Sequence, residues 1–210
     1  MSRQALRIQL DLQETKGQEV APDRGACPDL SRDQVGPTIK KDVSTMASIN
    51  GILVPVDEEK PVELVELEAG DFRAIQSFVG GTFQCLDLER PDATLFISDE
   101  GKINGSELNR RSTIMLWVHD SRFREQDTVA GDALILGTPD QDGNTQSVPD
   151  VLVNLLFHTA EYRYLVQTHG SDEWNGNGVR CANWLEAYSE ALKLAQRWSL
   201  VQEVTVVPSF

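Results

Sequence analysis

The chain has 210 residues, with 33 acidic against 19 basic side chains and a net charge of -14. That deficit of Lys and Arg argues against a general duplex-DNA binder, which needs cations to neutralise phosphate. No apolar run approaches the roughly 20 residues that span a bilayer, and the N-terminus lacks an apolar signal-peptide core, so a soluble, cytoplasmic protein without membrane contact is expected.

The charge is unevenly placed. Residues 1-46 carry 7 basic and 7 acidic side chains, residues 47-157 carry 8 and 20, and residues 158-210 carry 4 and 6. The middle segment therefore holds -12 of the excess, a field that could draw a basic partner or simply solvate the faces of a small domain.

In chain order, residues 1-46 read as a flexible N-terminal tail. Ala5 to Leu12 alternate as one strand would, but Gln13 to Thr45 are rich in Gln, Asp, Lys, Gly and Pro, with too little apolar surface to offset ordering entropy. Met46 reads as a natural domain start, with an over-extended gene start upstream of it as the expectation.

Residues 47-157 read as an acidic α+β domain, a small mixed sheet with short helices. Ile49 to Val56 and Val62 to Leu67 are strands about the acidic turn Asp57 to Pro61. Phe72, Ile75, Phe78 and Val79 mark one helix face, with Asp71 as N-cap and Gly80-Gly81 as C-cap. Those glycines follow a helix, whereas a phosphate cradle wants them before one. Phe83 to Leu88 and Thr94 to Ser98 form a hairpin, and Cys85 within it reads as a small core residue. Asp99 to Lys102 is a turn without the spacing of a calcium loop. A helix follows from Leu108 to Trp117, capped by Asn109. Ala133 to Leu136 is a buried strand, and a helix opened by Ser147 as cap runs through about Phe157, presenting Val151, Leu152, Leu155 and Leu156.

Residues 158-210 read as a small ββαβ module. Tyr162 to Thr168 is a strand, Asp172 to Gly178 a turn and Val179 to Cys181 a second strand. Asn183 caps a helix bearing Leu185, Tyr188, Ala191, Leu192 and Ala195, and Leu200 to Val207 returns as a strand. About 50 residues is near the lower limit for an independent core, so this unit either leans on the middle domain or forms a homodimer.

The chemistry-bearing residues are few. Cys27, Cys85 and Cys181 are odd in number and far apart, which fits a reduced compartment and neither a disulfide framework nor a zinc knuckle. His119, His158 and His169 show no metal-ligand spacing. No catalytic residue, metal or cofactor is therefore assigned. Arg110-Arg111 offers a guanidinium clamp for a planar oxyanion, or a local ion pair among the acids. With Asn109 and His119 it makes the candidate ligand site for a small molecule or nucleotide. The competing reading of His119-Asp120 is a surface pair after a helix.

From Ile49 to about Leu156 the chain resembles a family of proteins of unknown function encoded by actinobacteria, their plasmids and bacteriophages. The likeness rests on the Ile52 to Val56 strand, Ser98 to Lys102, Leu108 to Thr113, Ala130 to Gly137 and the Val148-Pro149-Asp150 helix start. The C-terminal residues look like small Trp- and Tyr-containing ββαβ modules of similar phage genes. Neither likeness brings catalytic or ligand residues. The function expected is a non-catalytic accessory protein of a phage or mobile element that binds a host or phage protein. The alternatives are an acidic nucleic-acid mimic inhibiting a defence enzyme, and a small-molecule or nucleotide binder.

Overall fold

The first five strands form one antiparallel sheet, and the order of its strands decides which of them is buried twice. The computed structural model describes residues 47–141 and 143–209; the tail, its expected strand at Ala5 to Leu12 and Cys27 lie outside them. The strands are β1 (Ser48–Val54), β2 (Glu63–Glu68), β3 (Phe83–Glu89), β4 (Asp92–Ser98) and β5 (Ala133–Gly137), and they lie in the order β2-β1-β5-β4-β3. β5 is central, and all five of its residues are buried. A strand covered on both faces wants an unbroken apolar run, which Ala133 to Leu136 supplies. The edge strands β2 and β3 alternate instead, with Glu63, Glu66 and Glu68 or Asp87 and Glu89 exposed. Charge on an edge also discourages pairing with another sheet.

Each face has its own cover. On one, the short helix α1 (Phe72–Val79) lays Ile75 and Val79 on Ile49, Leu67, Phe96, Leu134 and Leu136. Its ends are set as its sequence demands. The Asp71 carboxylate accepts from the amides of Arg73 and Ala74, and Gly80 closes the helix at a left-handed φ of 83°. Gly51 on β1 is closely approached: a Cβ there would stand 2.7 Å from the Leu136 Cδ2, so that buried side chain would have to shift.

The other face is covered by α2 (Arg110–His119) and α3 (Asp150–Phe157), whose Met115, Val118, Leu152 and Leu155 meet Ile52, Val54, Leu95, Ile97 and Ile135. Eight of the ten α2 residues are buried. The reason is a third layer. A three-stranded antiparallel sheet, β7-β6-β8, is built from β6 (Tyr162–Thr168), β7 (Trp174–Gly176) and β8 (Val201–Pro208), and α4 (Trp184–Arg197) packs against it. The same helix lies on α2, so Tyr164, Val166, Ala187, Tyr188, Ala191, Val204 and Val206 join one apolar cluster with the core of the five-stranded sheet. The fold is α+β, and the described residues, 47–141 and 143–209, make one compact unit. No described helix is long and apolar enough to cross a membrane.

Several local expectations need correction. Cys85 is exposed, because β3 is an edge strand and the eight-residue α1 covers Phe83 without reaching Cys85. Ser147 does not cap α3: Pro149 stands at that position, and the Ser147 hydroxyl accepts from the Asn50 amide at 3.1 Å. The second strand of the ββαβ unit is Trp174–Gly176 within the expected turn, while Val179 to Cys181 contributes only a bridge from Cys181 to Tyr162. His119 and Asp120 are buried, not a surface pair, because the C-terminal unit covers the end of α2.

Candidate functional site around helices α2 and α4

The four candidate ligand residues lie on or beside α2, and the helix distributes them to different tasks. Asn109 is fully buried at its N-cap. Its Oδ1 accepts from the Ser112 amide at 3.0 Å, and its Nδ2 donates to the carbonyls of Val54 and Gly131, both at 2.9 Å. Those three bonds tie the helix start to β1 and to the turn before β5. Arg111, the second residue of the helix, buries its guanidinium against the segment joining β1 to β2. It donates to the carbonyls of Lys60 (2.7 Å), Pro55 (2.6 Å) and Asp57 (2.7 Å). A planar fork fixed on three carbonyls holds a loop in shape. The expected partners, acids on the surface, are not what this arginine meets.

His119 ends α2, nine residues beyond Arg110 and therefore about 14 Å along the axis. Its Nδ1 meets the Arg90 carbonyl, and its Nε2 lies 2.7 Å from the Tyr188 hydroxyl on α4. A carbonyl only accepts, so Nδ1 carries the proton and Nε2 accepts from the tyrosine O–H. Burial is the chief reason that the imidazole pKa falls to about 4, and the Arg90 charge adds to it while the carbonyl bond opposes it. Burial also raises the Tyr188 hydroxyl. The pair is neutral, satisfied and closed to solvent, an arrangement that joins α2 to α4 and leaves no ring nitrogen for a substrate.

Ion pairs surround this junction. Arg90 reaches Glu203 of β8 at 2.8 Å and lies over the Trp174 ring, 5.9 Å from its centroid. Ser121 donates to the other Glu203 oxygen at 2.8 Å. The buried Asp120 carboxylate takes a two-point contact from Arg122, which also reaches Glu89 at 3.3 Å. Both described cysteines are held toward the thiol form. Desolvation, and then the Asp87 charge, push the Cys85 thiol up to about 11, and burial raises Cys181.

Two concavities flank α2. A cleft of about 460 Å³ is lined by Glu58, Lys60, Arg111, Phe157 and Trp184, among others. The second, a groove of about 370 Å³ between α2 and α4, is lined by Leu108, Arg110, Ile114, Trp117, Leu192 and Lys193, with Thr113, Thr128, Ser189 and Gln196 completing it. Arg110 and Arg111 thus face different cavities, as adjacent helix residues must. Trp117 is anchored by its indole N–H on the Asp127 carbonyl at 2.6 Å, which fixes one wall. Leu108, Trp117, Leu192 and Lys193 escape a reading by motifs. Their signal is positional: Ser189, Leu192, Lys193 and Gln196 recur at i, i+3, i+4 and i+7, a face adjoining the core face of α4.

A family model described as a domain of unknown function (DUF3846) matches residues 49–161, more than half of the chain. The chain belongs to the DUF3846 family. No curated protein and no solved structure matches it. The DUF3846 match starts at β1 and ends just before β6, so the groove has one wall from the family domain and the other, α4, from beyond it.

Proposed function

We propose that this chain is a non-catalytic accessory protein of a phage or mobile element that acts by binding a host or phage protein. The observation that carries the binding role is the α2–α4 groove: open, largely apolar and walled by two helices packed on one core. Leu108, 58% exposed, lines it together with the half-buried Trp117. Aromatic and aliphatic anchors beside charged residues are what protein interfaces use at their centres. Asn109, Arg111 and His119 are engaged with backbone groups and with Tyr188, which supports a reading without a reactive role for them. The setting of a phage or mobile element rests on the sequence resemblance alone.

The test uses the full chain and its Leu108→Asp variant as paired baits in host and phage-infected lysates. A protein retained by the first and lost with the second is expected. Capture that is equal for both baits, or no protein retained by either, overturns the proposal.

A further inference from the structure

We infer that the α2–α4 groove takes an acidic amphipathic helix of the partner protein. This rests on the protein-binding reading above and adds the chemistry of the occupant.

The first ground is shape. Along α2 the lining residues are Arg110, Thr113, Ile114 and Trp117, and along α4 they are Ser189, Leu192, Lys193 and Gln196. Both sets follow i, i+3, i+4 and i+7, so each wall presents two helical turns, about 10 Å of continuous face. At about 370 Å³ the groove sits at the small end of the roughly 300–1,000 Å³ of ligand pockets. That volume suits anchor side chains laid in from a helix, which reads out at the same i, i+3/i+4, i+7 spacing.

The second ground is charge. Residues 47-157 hold 20 acids and 8 bases, yet the ionisable groups lining this groove are Arg110 and Lys193, both cations. Arg110 is exposed and makes no ion pair among the described residues. Lys193 meets Glu190 at 2.7 Å in an exposed i,i+3 pair. Such pairs are weak and easily exchanged for another carboxylate. Glu125 stands at the rim, accepting from Gln196 at 2.9 Å, and Glu190 pairs with Lys193, so Arg110 is the lining cation that makes no described ion pair. A basic segment would be drawn to the acidic surface elsewhere but would meet like charge here, whereas acids flanking the anchors find Arg110 and Lys193.

The experiment titrates labelled helical peptides by fluorescence anisotropy against the full chain. One peptide carries leucines at the anchor spacing and glutamates elsewhere, a second has lysines for the glutamates, and a third has glutamines. Dodecanoate serves as a competitor, to distinguish a free amphiphile from a peptide. The acidic peptide is expected to bind, to weaken with added salt, and to lose affinity by about tenfold with Arg110→Glu, a change at an exposed position that leaves the fold intact. Lys193→Glu should act in the same direction, and Leu108→Asp should abolish binding. Equal affinity for all three peptides overturns the assignment of an acidic partner, as does insensitivity to both charge reversals. Stoichiometric displacement by dodecanoate reassigns the groove to a small amphiphile. If no peptide binds, the inference fails, while a Leu108-dependent protein from the lysates would still support the broader binding role.

Discussion

Tyr188→Phe isolates the contact on which the junction of α2 and α4 turns. The phenylalanine ring keeps the edge-to-face packing on Trp184, whose centroid lies 5.8 Å away, and keeps the burial of the ring itself. What is removed is one hydroxyl, and with it the donor that meets the His119 Nε2 among the described residues. Nothing else fills that space with a proton, because His119 is 4% exposed and its Nδ1 is committed to the Arg90 carbonyl. A buried acceptor left without its donor costs about 1–3 kcal/mol. For a unit of this size, each kcal/mol lowers the melting temperature by about 2–4 °C. Urea denaturation followed by tryptophan fluorescence should show a lower midpoint at unchanged slope, since the exposed area on unfolding is the same. Tyr188→Phe combined with His119→Leu should recover part of the loss, because the unsatisfied acceptor is then gone. A single variant within about 0.5 kcal/mol of the wild type, the size of an ordinary surface substitution, would refute the reasoning.

Three further outcomes follow from the same geometry. His119 has its pKa lowered from 6.5 to about 4 in the folded chain, so between those values the unfolded state binds more protons and stability falls as the pH falls. From about pH 7 to about pH 5 this residue alone should cost about 2 kcal/mol, a slope that His119→Leu should remove from the pH profile of the urea midpoint. Arg111→Met removes the donor of three carbonyl bonds and should destabilise by about 2–4 kcal/mol, with amide exchange in residues 55–60 accelerating before any global unfolding. Cys85 is exposed, yet its pKa of about 11 against 9.0 for a free thiol makes it about a hundredfold poorer in thiolate; iodoacetamide labelling near neutral pH should be slowed accordingly relative to a model thiol.

What the sequence makes legible is local. Asp71, Gly80, Asn109 and Asn183 take the capping positions that their chemistry and their apolar neighbours specify, and the hairpin of β3 and β4 and the ββαβ order are seen as read. A cap bond spans three residues, so a short window holds both partners. Cys85, Ser147 and the His119-Asp120 pair are misread for the opposite reason. Whether a strand is an edge, or a helix end is covered, is decided by elements 50 or more residues away, such as Tyr188 for His119. Apolar periodicity says that a face is buried and is silent on what buries it.

The α2 helix states the point most sharply. Its apolar residues run consecutively from Ile114 to Val118 and so circle its second half, while its first four residues are polar, with only Arg110 exposed and Trp117 half-buried. An apolar segment that faces every direction must be enclosed. The family domain, ending at residue 161, supplies the five-stranded sheet on one side and α3 beside it. The remaining side of α2 is closed by α4 and β8, with His119 bonded to Tyr188, all of them outside the family match. The residues beyond 161 therefore complete the core of this chain. Where α4 leaves α2 less covered, at the exposed Arg110 and the half-buried Trp117, the same shortfall of cover becomes the groove. The binding surface is thus a by-product of how far a second unit reaches across the first. Part of the acidic excess of residues 47-157 lies on the edge strands β2 and β3, whereas the ionisable residues that line the groove, Arg110 and Lys193, are cations.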